Sequence, residues 1–312
     1  MTTPKFAYKP LDRSKHEFRI MTFEPGSSHD GGIHCTLRTY NIANCPEYVA
    51  LSYAWGEPEP CHEITLDGCA FRVRDNLWTA LLSLRQLSKD GFPRQENRTS
   101  LGEDMFWMTK PRRATATHFW IDAICIDQND PLECGHQVSM MKTIFSKAAF
   151  VIPWLGPASD DSDSAGFTSN DWRSSWDANG SLLRRQYWER RWVVQEFVLA
   201  RDLFILCGSH GAWWCDLAGG LWSGLSGVFQ YEYGQLPSQR LIDYRYWTTS
   251  LYDGAPSQTL DELLTTFSST KCADPRDKVY SLLPLVKDNW VPAPKPLLAD
   301  YTISANTLYY RV

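Results

Sequence analysis

The chain has 312 residues, 43% hydrophobic and 21% charged, enough to bury the core of one large domain or two modest ones. A formal net charge of −5, with the basic residues scattered, argues against nucleic acid as a general partner. Residues 1–19 are polar, with no apolar signal region, and no run approaches the ~20 apolar residues of a membrane span; the expectation is a soluble, cytoplasmic protein with no membrane contact.

Residues 1–32 read as an irregular lead-in with a short strand near Phe18–Phe23. Ile33, Cys35 and Leu37 alternate with polar residues, as in a half-buried strand. Tyr48–Tyr53 is continuous and mostly apolar, a strand covered on both faces, and it runs into the loop signal Trp55-Gly56-Glu57-Pro58. Glu63–Leu66 and Cys69–Arg74 flank Asp67-Gly68, a hairpin signal. Asp75 or Asn76 is expected to cap a helix carrying Leu77, Leu81, Leu84 and Leu87. Residues 89–116 are polar and read as an excursion from the sheet. His118–Asp122 is a second buried strand with an acid near its carboxyl end. Asp130 caps the next helix, with Pro131 at its first position and an apolar stripe of Val138, Met141, Ile144 and Phe145. Ala149–Ile152 is a third strand, ended by Pro153. Residues 156–181 read as a solvated loop without calcium-loop spacing. Tyr187–Leu199 reads as a helix and Leu203–Leu206 as a fourth strand. Beyond Cys215 the pattern is irregular and helical. Asn306–Val312 reads as an unfinished helix, the expectation being a truncated chain or a short gene product.

Alternating strands and helices imply an α/β fold with a mostly parallel sheet and helices on both faces. The expected organisation is lead-in strands over 1–45, an α/β domain over 46–215, and a largely helical C-terminal extension over 216–312 packed on it. In such sheets ligands sit beyond the carboxyl ends of the strands. Ser52, Tyr53 and Trp55 follow the first buried strand, and Asp122 and Cys125 follow the second, so both groups line one rim. The nine cysteines have irregular spacing and no CxxC pair, which points to reduced thiols and no metal site. Cys125 as a nucleophile requires a histidine base, for which His118 and His136 are nearest in sequence; the other reading is a buried, inert thiol. No phosphate-cradling glycine loop, HExxH or GxSxG occurs.

Three segments resemble the pattern of the fungal HET (heterokaryon-incompatibility) domain: Tyr48-Val-Ala-Leu-Ser-Tyr-Ala-Trp-Gly56, Trp120-Ile-Asp-Ala-Ile-Cys-Ile-Asp-Gln128 and Arg191-Trp-Val-Val-Gln-Glu196. Asp274-Pro-Arg-Asp-Lys-Val-Tyr280 resembles a segment that follows in longer members; its Asp274, Arg276, Asp277 and Lys278 either cap a helix and pair with each other or help build the rim of the pocket. More faintly, the same segments are similar to a TIR domain, where an opening strand ends in Ser-Tyr and a helix carries Trp four residues before Glu, here Trp192 and Glu196. The resemblance implies a TIR/flavodoxin-like sheet, a cell-death function, and hydrolysis of NAD to nicotinamide and ADP-ribose, with NAD as a substrate and no cofactor. Under it Glu196 is the catalytic carboxylate, Arg191 a diphosphate ligand, Trp192 a stacking surface and Gln195 a ribose or amide contact. Ser52, Tyr53, Trp55, Gly56, Asp122, Cys125 and Gln128 form the facing side. The alternative for Arg191 and Glu196 is a structural ion pair, and for Trp192 packing on the sheet. For the chain, the alternative is a non-enzymatic module acting by self-association or with a separate NLR-like or prion-like sensor.

Overall fold

The computed structural model describes residues 4–25, 31–93, 116–159, 176–215, 217, 236–249, 259–286 and 297–312. The expected excursion over 89–116 and the loop over 156–181 lie largely outside these.

The polypeptide folds as mixed α/β. Strands β1 (Glu17–Phe23) and β2 (His34–Asn41) pair antiparallel from Glu17↔Asn41 to Phe23↔Cys35. They are followed by β3 (Val49–Tyr53), β4 (Cys61–Leu66) and β5 (Cys69–Arg74). The β4–β5 hairpin turns at Asp67-Gly68, both with positive φ (49° and 76°), the conformation a two-residue turn requires. Helix α1 (Asp75–Asp90), strand β6 (His118–Trp120) and helices α2 (Asp122–Cys125) and α3 (Pro131–Lys147) come next. Then follow β7 (Val151–Trp154), α4 (Trp176–Leu183), α5 (Val193–Val198), β8 (Phe204–Cys207) and β9 (His210–Trp213).

The nine strands form one sheet in the order β5-β4-β2-β1-β6-β3-β7-β8-β9. Its centre, β6-β3-β7-β8, is parallel. Antiparallel pairs join β1 to β2 and β6, β4 to β5, and β8 to β9. All five residues of β3 are buried, as a central parallel strand demands. Leu241, Tyr244, Leu260, Leu263 and Phe267, from helices Pro237–Thr249 and Leu260–Thr266 and the residue after, share the core of the sheet.

Three local expectations are corrected. Pro153 does not end the third strand; it lies inside β7, opposite Ser52. Val151 and Leu155 donate to Asp202 and Leu206 on either side of it, so the ladder closes around the missing N–H. Neither Asp75 nor Asn76 caps α1, whose N-cap residue is Arg74. Asn76 instead donates to the Ala54 carbonyl at 2.5 Å and accepts from Trp154 Nε1 at 2.8 Å, bracing the loop after β3. Finally, Tyr187–Leu199 is not one helix. A 3-10 turn over Gln186–Glu189 gives way to extended backbone at Arg190 (φ −74°, ψ 129°) before α5 begins. There the chain pairs in parallel with Lys271: Arg191 N donates to Lys271 O at 2.7 Å and Lys271 N to Glu189 O at 2.5 Å. A partner some eighty residues downstream overrides the local helical pattern.

Candidate functional site

The carboxyl ends of β3 and β6 lie side by side because the two strands are parallel neighbours. β6 delivers Asp122, the first residue of α2. Its Oδ1 accepts from Ala123 N at 2.7 Å, and its Oδ2 accepts from Trp55 Nε1 at 2.8 Å and Arg190 Nη2 at 3.1 Å. The same guanidinium donates through Nη1 to the Tyr53 carbonyl at 2.8 Å and to Glu196 Oε1 at 3.0 Å. Ser52 Oγ donates to Glu196 Oε2 at 2.5 Å and lies 2.9 Å from the Tyr187 hydroxyl. A continuous polar chain therefore runs Tyr187, Ser52, Glu196, Arg190, Asp122, Trp55.

Helix α5 packs on β3 and β7, which holds Glu196 under the end of β3 with 2% exposure. Burial strips its carboxylate of water and pushes its pKa from 4.5 up to about 7, against the opposing pull of the Arg190 charge and the Ser52 hydrogen bond. Burial also raises the Tyr53 and Tyr187 hydroxyls well above their ordinary range.

Above this cluster opens a cavity of about 730 Å³. Trp55, Gly56, Asp122, Gln128 and Trp192, five of the residues expected from sequence, line it. Gly56 stands at φ +70° and its carbonyl accepts from Arg74 Nη1 at 2.7 Å, while Gln128 Nε2 donates to the Asp122 carbonyl at 3.0 Å. Ser52, Tyr53 and Glu196 lie beneath, joined to the cavity through Arg190. Cys125, Arg191 and Gln195 point elsewhere. The Cys125 sulfur meets backbone groups of its neighbours, among them Ile121 and Phe119, and burial pushes its thiol up to about 12, which suits an inert packing residue. Gln195 Nε2 donates to Met141 Sδ at 3.4 Å inside the core. Arg191 reaches away, to the carbonyls of Phe267 and Lys278 and to Thr270 Oγ1.

Sequence reasoning missed Arg190, Arg74, Lys271 and Tyr301, all of which line the cavity. The Arg190-Arg191 pair is visible in the sequence, but which arginine turns inward depends on the break before α5. The segment 274–280 does both things weighed for it. Asp274 and Arg276 form a bidentate pair at 2.5–3.1 Å, while Arg276 and Asp277 reach the cavity. Among the described residues, no group of three or more His, Cys, Asp and Glu is arranged to hold a metal, and no helix is long and apolar enough to cross a membrane.

The family model described as heterokaryon incompatibility protein (HET) matches residues 97–196. The chain carries a HET domain. It is 35% identical over 160 residues to heterokaryon incompatibility protein 6, OR allele, of Neurospora crassa, a match covering 49% of this chain and 20% of that protein. The chain thus matches about a fifth of the length of this curated relative. No solved structure matches it. The three motifs converge in the fold: Tyr48–Gly56, outside the matched stretch, supplies β3 and the Trp55 loop, while Trp120–Gln128 and Arg191–Glu196, within it, supply Asp122, Trp192 and Glu196. Two walls of the cavity come from outside the matched stretch, at residues 54–57 and 271–301.

Proposed function

We propose that this chain is an effector of fungal heterokaryon incompatibility and that its cavity hydrolyses NAD. The observation that carries the catalytic reading is the cavity at the carboxyl ends of β3 and β6, floored by Asp122 and Arg190, with Glu196 buried beneath and bonded to Arg190. Further support comes from the strand order. Numbered by their place in the chain, the four central parallel strands run 2-1-3-4, the order of flavodoxin-like doubly wound sheets, whose ligands bind outside the strand carboxyl ends. The HET match and the Neurospora relative support the incompatibility role.

The chemistry suits this lining. In NAD the bond from ribose C1 to the pyridinium nitrogen breaks with its electron pair leaving on nicotinamide, which departs neutral and needs no acid. Water then adds to the ribose carbon and sheds a proton. A carboxylate near the ribose stabilises the oxocarbenium-like transition state; Asp122, which lines the cavity, and Glu196, buried beneath it and joined through Arg190, supply that charge.

The test is nicotinamide release, followed by chromatography, from purified protein clustered at high concentration. Wild type is expected to release it, and Glu196→Gln to be slower by about 10²–10³-fold, the scale of losing one transition-state charge contact. No release by clustered wild type would overturn the enzymatic reading and leave the incompatibility role to assembly.

A further inference from the structure

The C-terminal segment contributes to the cavity in one specific way. Asp277 uses both carboxylate oxygens on aromatic side chains: Oδ2 accepts from Trp192 Nε1 at 2.9 Å and Oδ1 accepts from the Tyr301 hydroxyl at 2.6 Å. Trp192 belongs to the HET motif, Tyr301 lies more than a hundred residues later, and both line the same cavity. Asp277 is half-buried, and burial raises its carboxyl above the ordinary range while these two donors oppose the rise.

Each partner is fixed from behind. Arg191, next to Trp192, donates to Phe267 O, Thr270 Oγ1 and Lys278 O, so the backbone that carries Asp277 is clamped to the backbone that carries Trp192. Tyr301 is held by Arg276, whose guanidinium lies 5.1 Å from its ring centroid and whose Nη1 donates to the Tyr301 carbonyl at 2.7 Å. Tyr280 adds an edge contact at 5.3 Å and donates to Asp300 O at 2.9 Å. Two aromatic side chains with settled rotamers, joined by one carboxylate, form a pre-ordered wall, which is what a ring-binding subsite needs.

We infer that Trp192 and Tyr301, set by Asp277, form a subsite for a planar heteroaromatic ring. Asp277 is a positioning residue acting through the two aromatics. The inference deepens the nucleotide reading of the same cavity and rests on it for the choice of ligands. In NAD the ring is either nicotinamide or adenine; the shared chemistry is a flat, electron-poor or hydrogen-bonding heterocycle that stacks on indole and phenol faces.

The experiment measures calorimetric affinity of the full chain for NAD, nicotinamide mononucleotide and AMP, together with KM and kcat for nicotinamide release. The variants are Tyr301→Phe, Tyr301→Ala, Asp277→Asn and Asp277→Ala, each checked for a cooperative melt. Tyr301→Ala and Asp277→Ala are expected to weaken NAD and one of the two mononucleotides by about three- to tenfold, the scale of one lost aromatic contact. KM should rise with kcat nearly unchanged. Tyr301→Phe, which keeps the ring, and Asp277→Asn, which keeps an acceptor, should recover most of the affinity. The weakened mononucleotide identifies the ring. Wild-type affinity in folded Tyr301→Ala, or binding of none of the three ligands by wild type, overturns the subsite. Ring binding that responds to Tyr301 without any nicotinamide release sustains the subsite and overturns NAD cleavage instead.

Discussion

Glu196 sets two constraints at the scale of a single residue. Its pKa stands at about 7 when folded against 4.5 when free. Between those values the folded chain binds more protons than the unfolded one, so its contribution to stability is complete below about pH 4.5 and is lost as pH rises through 7. The difference amounts to about 3 kcal/mol at 1.36 kcal/mol per unit. Glu196→Gln should therefore melt at a temperature that changes less between about pH 5 and about pH 8, with wild type falling relative to it as pH rises. A wild type gaining on the variant over that range would remove the buried-acid picture. Cys125 supplies a second test. With its thiol pushed to about 12 and its surface buried, it should resist iodoacetamide in native protein at about pH 8, where the partly exposed Cys61 and Cys69 react. Mass mapping of the labelled peptides decides it, and rapid labelling of Cys125 would reopen the nucleophile reading.

At the scale of elements, the interrupted stretch Gln186–Val198 organises the site. Sequence periodicity suggests a single helix there because Tyr187, Val193, Val194 and Phe197 are apolar, and all four are indeed buried. The interruption has no local signature; it follows from the backbone pairing with Lys271. That pairing turns Arg190 toward Asp122 and Glu196 and Arg191 toward 267–278, reversing the assignment that the motif alone suggests. Arg191 is 2% exposed, and its fork meets three acceptors that a lysine cannot reach together. Arg191→Lys is expected to cost about 2–4 kcal/mol in urea denaturation, since it strands buried acceptors. Exchange at the Lys271 amide, which donates to Glu189, should speed up as well. If the folded variant binds NAD as wild type does, Arg191 is a clamp; a large loss of affinity with stability intact would return it to the diphosphate.

At the scale of the whole molecule, what the sequence disclosed divides by range. Buried strands such as Tyr48–Tyr53 and the Asp130-Pro131 helix start were legible because alternation, apolar runs and caps are local. The strand order was not, since it depends on which edges meet. β1 and β2, read from sequence as a lead-in, insert into the middle of the sheet, with β1 bonded to β6. Of the cavity's far wall, Arg276 and Asp277 were legible as candidates for its rim, whereas Lys271 and Tyr301 were hidden, because the pairing of Lys271 with Arg190 and the bond of Asp277 to Trp192 join segments about 80 residues apart. This has a consequence for the matched stretch 97–196 taken alone. Within it β6 is a three-residue strand whose two neighbours, β1 and β3, both lie outside, and β7 loses β3 on one side and β8 on the other. A parallel pair has no hairpin to hold it, and two isolated short strands leave most of their backbone groups and apolar faces unpartnered. Residues 97–196 expressed alone should give a random-coil circular dichroism spectrum and no cooperative melt. The whole chain should melt in a cooperative transition. A fragment that folded cooperatively would mean that the motif helices, and not the nine-stranded sheet, are the folding unit of the HET domain.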